Sequence, residues 1–462
     1  MSDKPDYLHD TIVAAATPAG VGGIGIVRIS GPDVPQIAGK MLGGLPPPRV
    51  ATLREFHDAA GEPIDTGLAL YFPAPGSFTG EPVLELHGHG GPLVMALLVD
   101  AAVSLGSRQA EPGEFSKRAF LNDKLDLAKA EAIADLIGSG TAQAARAALR
   151  SLSGAFSAAV DALQEQLIRL RLHVEAALDF PEEEIDFLSD EQLAIRIDDC
   201  HAAFEALGEG ARAGLVLRDG YRVVIVGRPN AGKSSLLNLL SGQEAAIVTE
   251  VAGTTRDILR EQINVDGLLV ELIDTAGLRE NPDQIEAEGI RRARAAIKSA
   301  DAVLWIQDAS TKEYAIEKYA IENESLAELG EELPANVPVI TVRNKIDLTN
   351  ENPGLQDEPQ LTLNISVKTG AGTDALREQI LKLAGHKDLG EGAFTARRRH
   401  IDALGQAEAH FQAGRNALEK AKAGELLAEE LRLAQEALGQ ITGALTSDEL
   451  LGKIFSEFCI GK

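Results

Sequence analysis

Residues 227–234 read GRPNAGKS, which fits G-x-x-x-x-G-K-S between the apolar run RVVIVG (222–227) and a helical stretch. That context suits a phosphate cradle. The glycines let backbone N–H groups close on phosphate oxygens, Lys233 neutralises β/γ charge, and Ser234 offers a hydroxyl to magnesium. Asn230, Ala231, Gly232 and Ser235 complete the loop.

Further chemistry follows in a fixed order. DTAG at 274–277 sets Asp274 behind the metal's own ligands, with Thr275, Ala276 and Gly277 on the γ-phosphate side, while Thr255 in GTTRD (253–257) closes on magnesium. NKID (344–347) supplies Asn344, Lys345 and Asp347, whose carboxylate accepts from guanine N1–H and the exocyclic amine. Adenine lacks that amine, and a buried acceptor left unpaired disfavours it. SVK (Ser366, Val367, Lys368) is expected to meet the base oxygen through its backbone. The set implies a GTPase. After DTAG stands Leu278, which cannot orient water as a glutamine would. A monovalent cation held by the Asn230 carboxamide oxygen supplies the missing charge stabilisation in this reading, with Glu286 a candidate for orienting the water.

The elements that must carry these motifs are legible as alternating strands: RVVIVG, LLVELID (268–274), AVLWIQD (302–308), VPVITVRNK (337–345) and LTLNIS (361–366). Such alternation with helical segments predicts a doubly wound, mostly parallel sheet. On either side the pattern is helical. Leu163, Leu167, Leu170 and Val174 repeat at helical spacing, as do Leu427, Leu431, Ala434, Leu438 and Ile441. The economical reading is an α/β domain (215–385) inserted into a discontinuous helical domain (121–214 and 386–462), with linker composition at GEGARAG (208–214) and GHKDLGEGA (385–393). Residues 1–120 show four β-like runs, TIVAAAT (11–17), IGIVRIS (24–30), GLALYF (67–72) and VLELHGH (83–89), between turn signals, as in an α+β domain.

Composition narrows the classes. With 44 Lys and Arg against 70 Asp and Glu, the net charge of -26 repels nucleic acid at long range, so RNA binding needs a local patch or a partner. The best local cluster is Arg397, Arg398, Arg399 and His400. Two cysteines, Cys200 and Cys459, form no disulfide framework, and no run reaches the ~20 apolar residues that span a bilayer. A soluble cytoplasmic protein is expected. The HGH of His87 and His89 lacks the acidic or thiol ligands that complete a metal site, and PEEEID (181–186) reads as a solvated helix edge.

Taken together, GRPNAGKS, GTTRD, DTAGLR, NKID, PGEFSKRAFLNDKLDLAKAEA (112–132) and the terminal FCIGK (458–462) resemble the MnmE (TrmE) family of tRNA-modification GTPases. The resemblance implies an N-terminal domain like a tetrahydrofolate-binding fold, a split helical domain and an inserted Ras-like GTPase domain, assembled as a homodimer through the N-terminal domains. It implies an FAD-dependent MnmG (GidA) partner, and a folate-derived aminomethyl or carboxymethylaminomethyl group added at C5 of wobble uridine in tRNA. The folate is a 5-formyl- or methylene-tetrahydrofolate. It further implies that the loop Thr249, Glu250, Val251, Ala252, Gly253 and Thr254 meets the nucleotide. Asn230, Thr249, Val251 and Thr254 then serve potassium, Ser234 and Thr255 magnesium, and Glu286 water activation. For folate it carries over Arg28, Glu85, Lys124 and Lys462.

FCIGK places a cysteine fourth from the end, the outline of a prenylation signal, although a final Lys462 is unusual for one. TSDE (446–449) reads as a capping box for a short helix that anchors the tail. Cys459 is then the candidate thiol of an active-site segment, given a basic neighbour to lower its pKa. A ribosome-assembly GTPase without folate chemistry and a membrane-recruited signalling GTPase remain the alternatives at this point.

Overall fold

The computed structural model describes residues 10–179, 191–227, 230–243, 260–274, 300–311, 337–349, 351–356, 361–385, 392–444, 448–456, 458 and 461. Two compact units divide the chain: residues 1–134, 151–201 and 403–462 form one, and residues 135–150 and 202–402 the other.

The first unit opens with β1 (Ile12–Ala15), β2 (Gly22–Ser30), α1 (Val34–Leu42), β3 (Thr52–His57), β4 (Pro63–Phe72), β5 (Val83–Gly90), α2 (Pro92–Ser104), β6 (Arg108–Gln109) and α3 (Glu114–Leu121). The strands pair in the order β3-β4-β5-β2-β1-β6, antiparallel except for β1 with β6. All four expected β runs are present. Alternation sends Val27, Ile29, Leu84 and Leu86 to one face, where they pack with Ile37, Met41 and Leu98 of α1 and α2. On the other face Ile12 and Ala14 meet Phe115 of α3. The edge strand β3 lies outside the expected runs, because TLREFH buries only Phe56 and so lacks an apolar alternation.

The chain continues through α4 (Leu127–Ile137), α5 (Ala142–Leu152), α6 (Ala155–Asp179) and α7 (Glu191–Asp219). The second unit then adds β7 (Tyr221–Gly227), α8 (Lys233–Gln243), β8 (Arg260–Val265), β9 (Leu268–Asp274), β10 (Ala302–Asp308), β11 (Val339–Asn344), β12 (Gly354–Gln356), β13 (Thr362–Asn364) and α9 (Thr373–Leu383). Their order, β12-β13-β11-β10-β7-β9-β8, is a doubly wound parallel sheet with an antiparallel strand at each edge. Apolar residues buried on both faces mark β7, β9 and β10, whereas β11 and β13 bury mainly one face through Ile340, Val342 and Leu363; the edge strands β8 and β12 are short or polar and carry no such signal.

Helices α10 (Arg398–Ala421), α11 (Gly424–Thr442) and α12 (Asp448–Ser456) close the chain. Both apolar stripes are buried along their full length. In the first unit α6 and α11 are joined by Gln435, whose carbonyl accepts from Gln164 (3.3 Å) and whose side-chain oxygen accepts from Arg171 (2.8 Å).

Two sequence expectations change at the second unit's helical edge. GEGARAG is not a linker but the interior of α7. Its glycines make room: a Cβ on Gly214 would lie 2.4 Å from the Phe394 carbonyl oxygen, and one on Gly210 would lie 3.1 Å from the Phe394 ring. The basic run 397–400 is not an open patch either. Arg397 is buried and donates to Asp135 (2.7 Å), which also accepts from Arg218 (2.8 Å), while the buried His400 ring accepts from the Arg397 amide (3.0 Å). A carboxylate buried in α4 drew the guanidinium inward.

The stretch PGEFSKRAF supplies the first unit's ionic centre. Arg118 is 1% exposed and donates to Asp10 (2.5 Å), Glu114 (3.0 Å) and Glu81 (3.3 Å). Arg108 adds a two-pronged pair to Glu114 (2.7 and 2.9 Å) and a bond to Asp10 (2.7 Å). Burial pushes the Glu114 carboxyl up, but its bonds from Arg108, the Glu111 amide and Arg118 outweigh this and hold it below the ordinary value. Removing one partner leaves buried charge unmatched, at about 3–5 kcal/mol. Arg118→Ala is therefore expected to lower stability by about that amount, read from hydrogen-exchange protection of β1 and β6 amides in the intact chain. Because the folded carboxyl is depressed, its contribution is present above the unfolded Glu value of about 4.3. It is lost as pH falls further, so protection of these amides should drop between about pH 5 and 3 and stay flat from about 6 to 8.

Candidate functional site

Three strands of the second unit end side by side, with Gly227 closing β7, Asp308 closing β10 and Asn344 closing β11. In an open parallel sheet this edge is where ligands bind. Gly227 lies so near β10 that a Cβ would sit 2.3 Å from the Ile306 carbonyl oxygen. Beyond it the loop turns through left-handed backbone at Asn230 (φ 65°) and Gly232 (φ 100°) before α8 begins at Lys233. Only glycine suits position 232, since a Cβ would fall 2.2 Å from the Asn344 amide nitrogen. Ala231 is buried, and Ser234 and Ser235 are exposed in the first turn of α8. The Lys233 ammonium folds back to donate to the Gly227 carbonyl (2.8 Å), across the loop whose amides a phosphate would occupy.

Asn344 ties this loop to the base-recognition segments. At 3% exposure it donates to the Ala231 carbonyl (2.9 Å), and its oxygen accepts from the Lys345 (2.8 Å) and Val367 (3.1 Å) amides. Lys345 is left-handed (φ 68°), and its ammonium reaches the Asn230 carbonyl (2.8 Å) and the Asp308 carboxylate (2.5 Å). Asp347 is exposed, and one of its carboxylate oxygens accepts from the Ser366 hydroxyl (2.6 Å). The Val367 amide is committed to Asn344 and joins the two loops. Lys368 is exposed beside it. The bond network assigns a role to Asp308 that no motif signals.

Asp274 ends β9, level with Ile225 of β7. Thr249, Glu250, Val251, Ala252, Gly253, Thr254 and Thr255 lie outside the described residues, as do Thr275, Ala276, Gly277, Leu278, Glu286 and PEEEID.

In the first unit, Arg28 and Glu85 are cross-strand partners, joined through Nε (2.9 Å) and Nη2 (2.8 Å). The guanidinium also lies over Phe78 (5.5 Å) and Phe115 (5.7 Å). His87 Nε2 is 3.3 Å from the second Glu85 oxygen. His89 instead binds Asp65, so the two histidines serve different carboxylates. Among the described residues no group of three or more His, Cys, Asp or Glu is placed to hold a metal. Lys124 is exposed and donates to the Pro75 carbonyl (3.0 Å), and no contact joins it to Arg28 or Glu85 among the described bonds.

The chain's tail is held by apolar contact. Phe455 and Phe458 pack at 5.3 Å, Phe455 reaches Phe120 (6.4 Å), and Gly113 leaves space that a Cβ would take from Phe458 (2.9 Å). Gly461 abuts Ala15, where a Cβ would meet the carbonyl oxygen at 2.3 Å. Cys459 and Lys462 lie outside the described residues, as do Thr446 and Ser447 of the expected cap. The other thiol, Cys200, is buried and pushed up to about 12 by that burial, with Asp199 adding to the shift, which makes it inert. No described helix is long and apolar enough to cross a membrane.

Gly232→Ala puts a methyl into the Asn344 amide on strained backbone, a change worth more than about 1 kcal/mol. It is expected to weaken binding of a fluorescently labelled GDP at least about fivefold, with the melting temperature of the first unit unchanged; unaltered affinity would show that the loop accommodates the methyl.

Comparison with known proteins gives the family directly. A profile described as the MnmE helical domain matches residues 127–459, and one described as the GTP-binding protein TrmE N-terminus matches residues 11–124. Similar solved structures include a variant of Aquifex aeolicus Era bound to GDP and AlF4-, at 27% identity over 41% of this chain and 66% of that one, with a TM-score of 0.26. The G domain of the T. maritima FeoB iron transporter is 26% identical over 36% of this chain and 98% of its own, also at 0.26. A GTP-binding protein of Sulfolobus solfataricus in complex with GDP is 18% identical over 49% and 67%, at 0.28. The chain thus spans about two thirds of the Era and Sulfolobus chains it matches. Matched by one family profile from residue 11 to 124 and by the other from 127 to 459, the chain belongs to the MnmE/TrmE family of tRNA-modification GTPases.

Proposed function

We propose that this chain hydrolyses GTP to drive modification of the wobble uridine of certain tRNAs, adding a folate-derived aminomethyl or carboxymethylaminomethyl group at C5 together with an FAD-dependent MnmG/GidA-like partner. The observation that carries the nucleotide half is the Asn344 knot, which joins the loop of Ala231 to the segment whose Ser366 holds Asp347, the residue that would accept from guanine. Membership in the family supplies the tRNA half.

For hydrolysis, Leu278 leaves the water without a glutamine, and potassium provides the charge that an arginine finger would. Asn230 fits this use, since its left-handed backbone sets an exposed carboxamide at the lip of the loop. Thr249, Val251 and Thr254 would complete the cation's ligands, Ser234 and Thr255 would hold magnesium, and Glu286 would orient the water.

For the one-carbon donor, Arg28, Glu85 and the rings of Phe78 and Phe115 offer a carboxylate for an amidine-like pterin edge beside aromatic faces. Lys124 and Lys462 would meet the glutamate tail, and Cys459 is the candidate thiol. A second copy of the chain is expected against the N-terminal domain, where Val21 (92% exposed), Ile24, Leu93 (72%) and Leu97 leave apolar surface uncovered.

The test is complementation of a deletion strain with the wild type and with Cys459→Ser, reading the wobble-nucleoside profile of total tRNA and the GTP turnover of each purified protein in potassium and in sodium. The deletion strain should lack the modified uridine and the wild type restore it. Cys459→Ser should fail to restore it while hydrolysing GTP normally, and sodium should slow turnover at least about tenfold, a small part of a finger's roughly 10³–10⁵. A normal profile in the deletion strain removes the central claim, and equal rates in the two salts remove the cation from Asn230.

A further inference from the structure

We propose that Asp308 is a positioning residue for nucleotide binding, acting through the Lys345 ammonium on the peptide of Asn230. The proposal rests on the GTP reading of this site. Asp308 ends β10 directly across from Asn344, so strand register places its carboxylate beside the NKID segment. Both oxygens are assigned. One accepts from the Ser310 amide (2.9 Å) and hydroxyl (2.6 Å), which fixes the carboxylate plane, and the other accepts from Lys345 (2.5 Å). The same ammonium donates to the Asn230 carbonyl at 2.8 Å.

What this geometry supplies is preorganisation. Lys345 sits on a flexible four-carbon stem and is one-third exposed, so without a fixed anion it samples many rotamers. Held by Asp308, it pins the carbonyl of a non-glycine residue in left-handed backbone, the costly conformation on which the phosphate loop turns. Burial pushes the Asp308 carboxyl up, but the Lys345 and Ser310 bonds outweigh it and hold the group below its ordinary value, so the carboxyl is ionised at neutral pH. The pair is also electrically neutral as a unit, which separates two readings. If Asp308 acted only as a charge near the phosphates, removing it would relieve repulsion and tighten binding of an anionic nucleotide. If it positions Lys345, removing it loosens binding.

The experiment measures dissociation of a fluorescent GDP analogue from the full-length chain for the wild type, Asp308→Asn, Lys345→Met and the double variant. Positioning predicts roughly tenfold weaker binding for Asp308→Asn, the size of one charge-assisted hydrogen bond, and no further loss when it is added to Lys345→Met. Ser310→Ala, which removes the hydroxyl bond but keeps the amide bond to the same carboxylate oxygen and leaves charge untouched, should weaken binding in the same direction by a smaller factor, and it serves if Asp308→Asn folds poorly. Tighter or unchanged binding in Asp308→Asn overturns the proposal. So does a loss of equal size in the Lys345→Met background, which marks Asp308 as a structural residue independent of the lysine. Failure of the wild type to bind the analogue at all overturns instead the GTP reading on which the proposal stands.

Discussion

The nucleotide site depends on one buried amide. Asn344 uses its donor on the Ala231 carbonyl and its acceptor on the Lys345 and Val367 amides. The phosphate loop, the NKID turn and the SVK loop therefore share a single side chain, buried where its loss would strand their polar groups. The consequence is geometric. In the proposed reading a nucleotide would span from the phosphate loop to the NKID and SVK loops, and these are set relative to each other by Asn344 rather than by each loop's own preferences. The glycine at 232 follows from the same constraint, since the amide lies where a side chain would be.

The first unit is organised by a different device with a similar logic. Its ionic centre takes the Arg118 guanidinium and the Glu114 and Glu81 carboxylates largely out of water, with Arg108 and Asp10 at its exposed rim, and desolvation makes such clusters poor sources of net stability. Their value lies in fixing which elements meet. Arg118 on α3 grips Asp10 before β1 and Glu81 before β5, so one guanidinium sets the helix against two strands. Ser30, bonded to Glu81 and to Thr79, extends the network to the end of β2, two residues beyond Arg28. A shift at Arg118 would therefore be felt near the Arg28 and Glu85 pair.

Sequence alone discloses the features that periodicity or motif spacing encode. The stripes of α6 and α11 are plain because burial on one face of a long helix forces Leu163, Leu167, Leu170 and Val174 into register, and the central parallel strands β7, β9 and β10 because both their faces are apolar. What stays hidden is anything decided by a distant partner. Glycines at 208, 210 and 214 have linker composition, yet they lie in a helix, and Phe394 packs against the latter two. Arg397 has the composition of a solvated face, yet Asp135, far back in the chain, buries it. Asp308 belongs to no motif, and only strand register shows that it faces Asn344. Local composition records what a residue tolerates; its use is fixed by tertiary contact.

The tail shows how far such contacts reach. A lipid anchor on the terminal cysteine requires the last residues to leave the protein, and the residues on either side of Cys459 oppose that. Phe458 is buried in the cluster of Phe120 and Phe455, and freeing a buried aromatic side chain costs about 1.5–3 kcal/mol. Gly461 is also buried, against the end of β1, so the tail is fixed at two points rather than one. Ala15 follows Ala14, which is the cross-strand partner of Arg28. The same contact sets Gly461 against the strand that pairs with the one carrying Arg28.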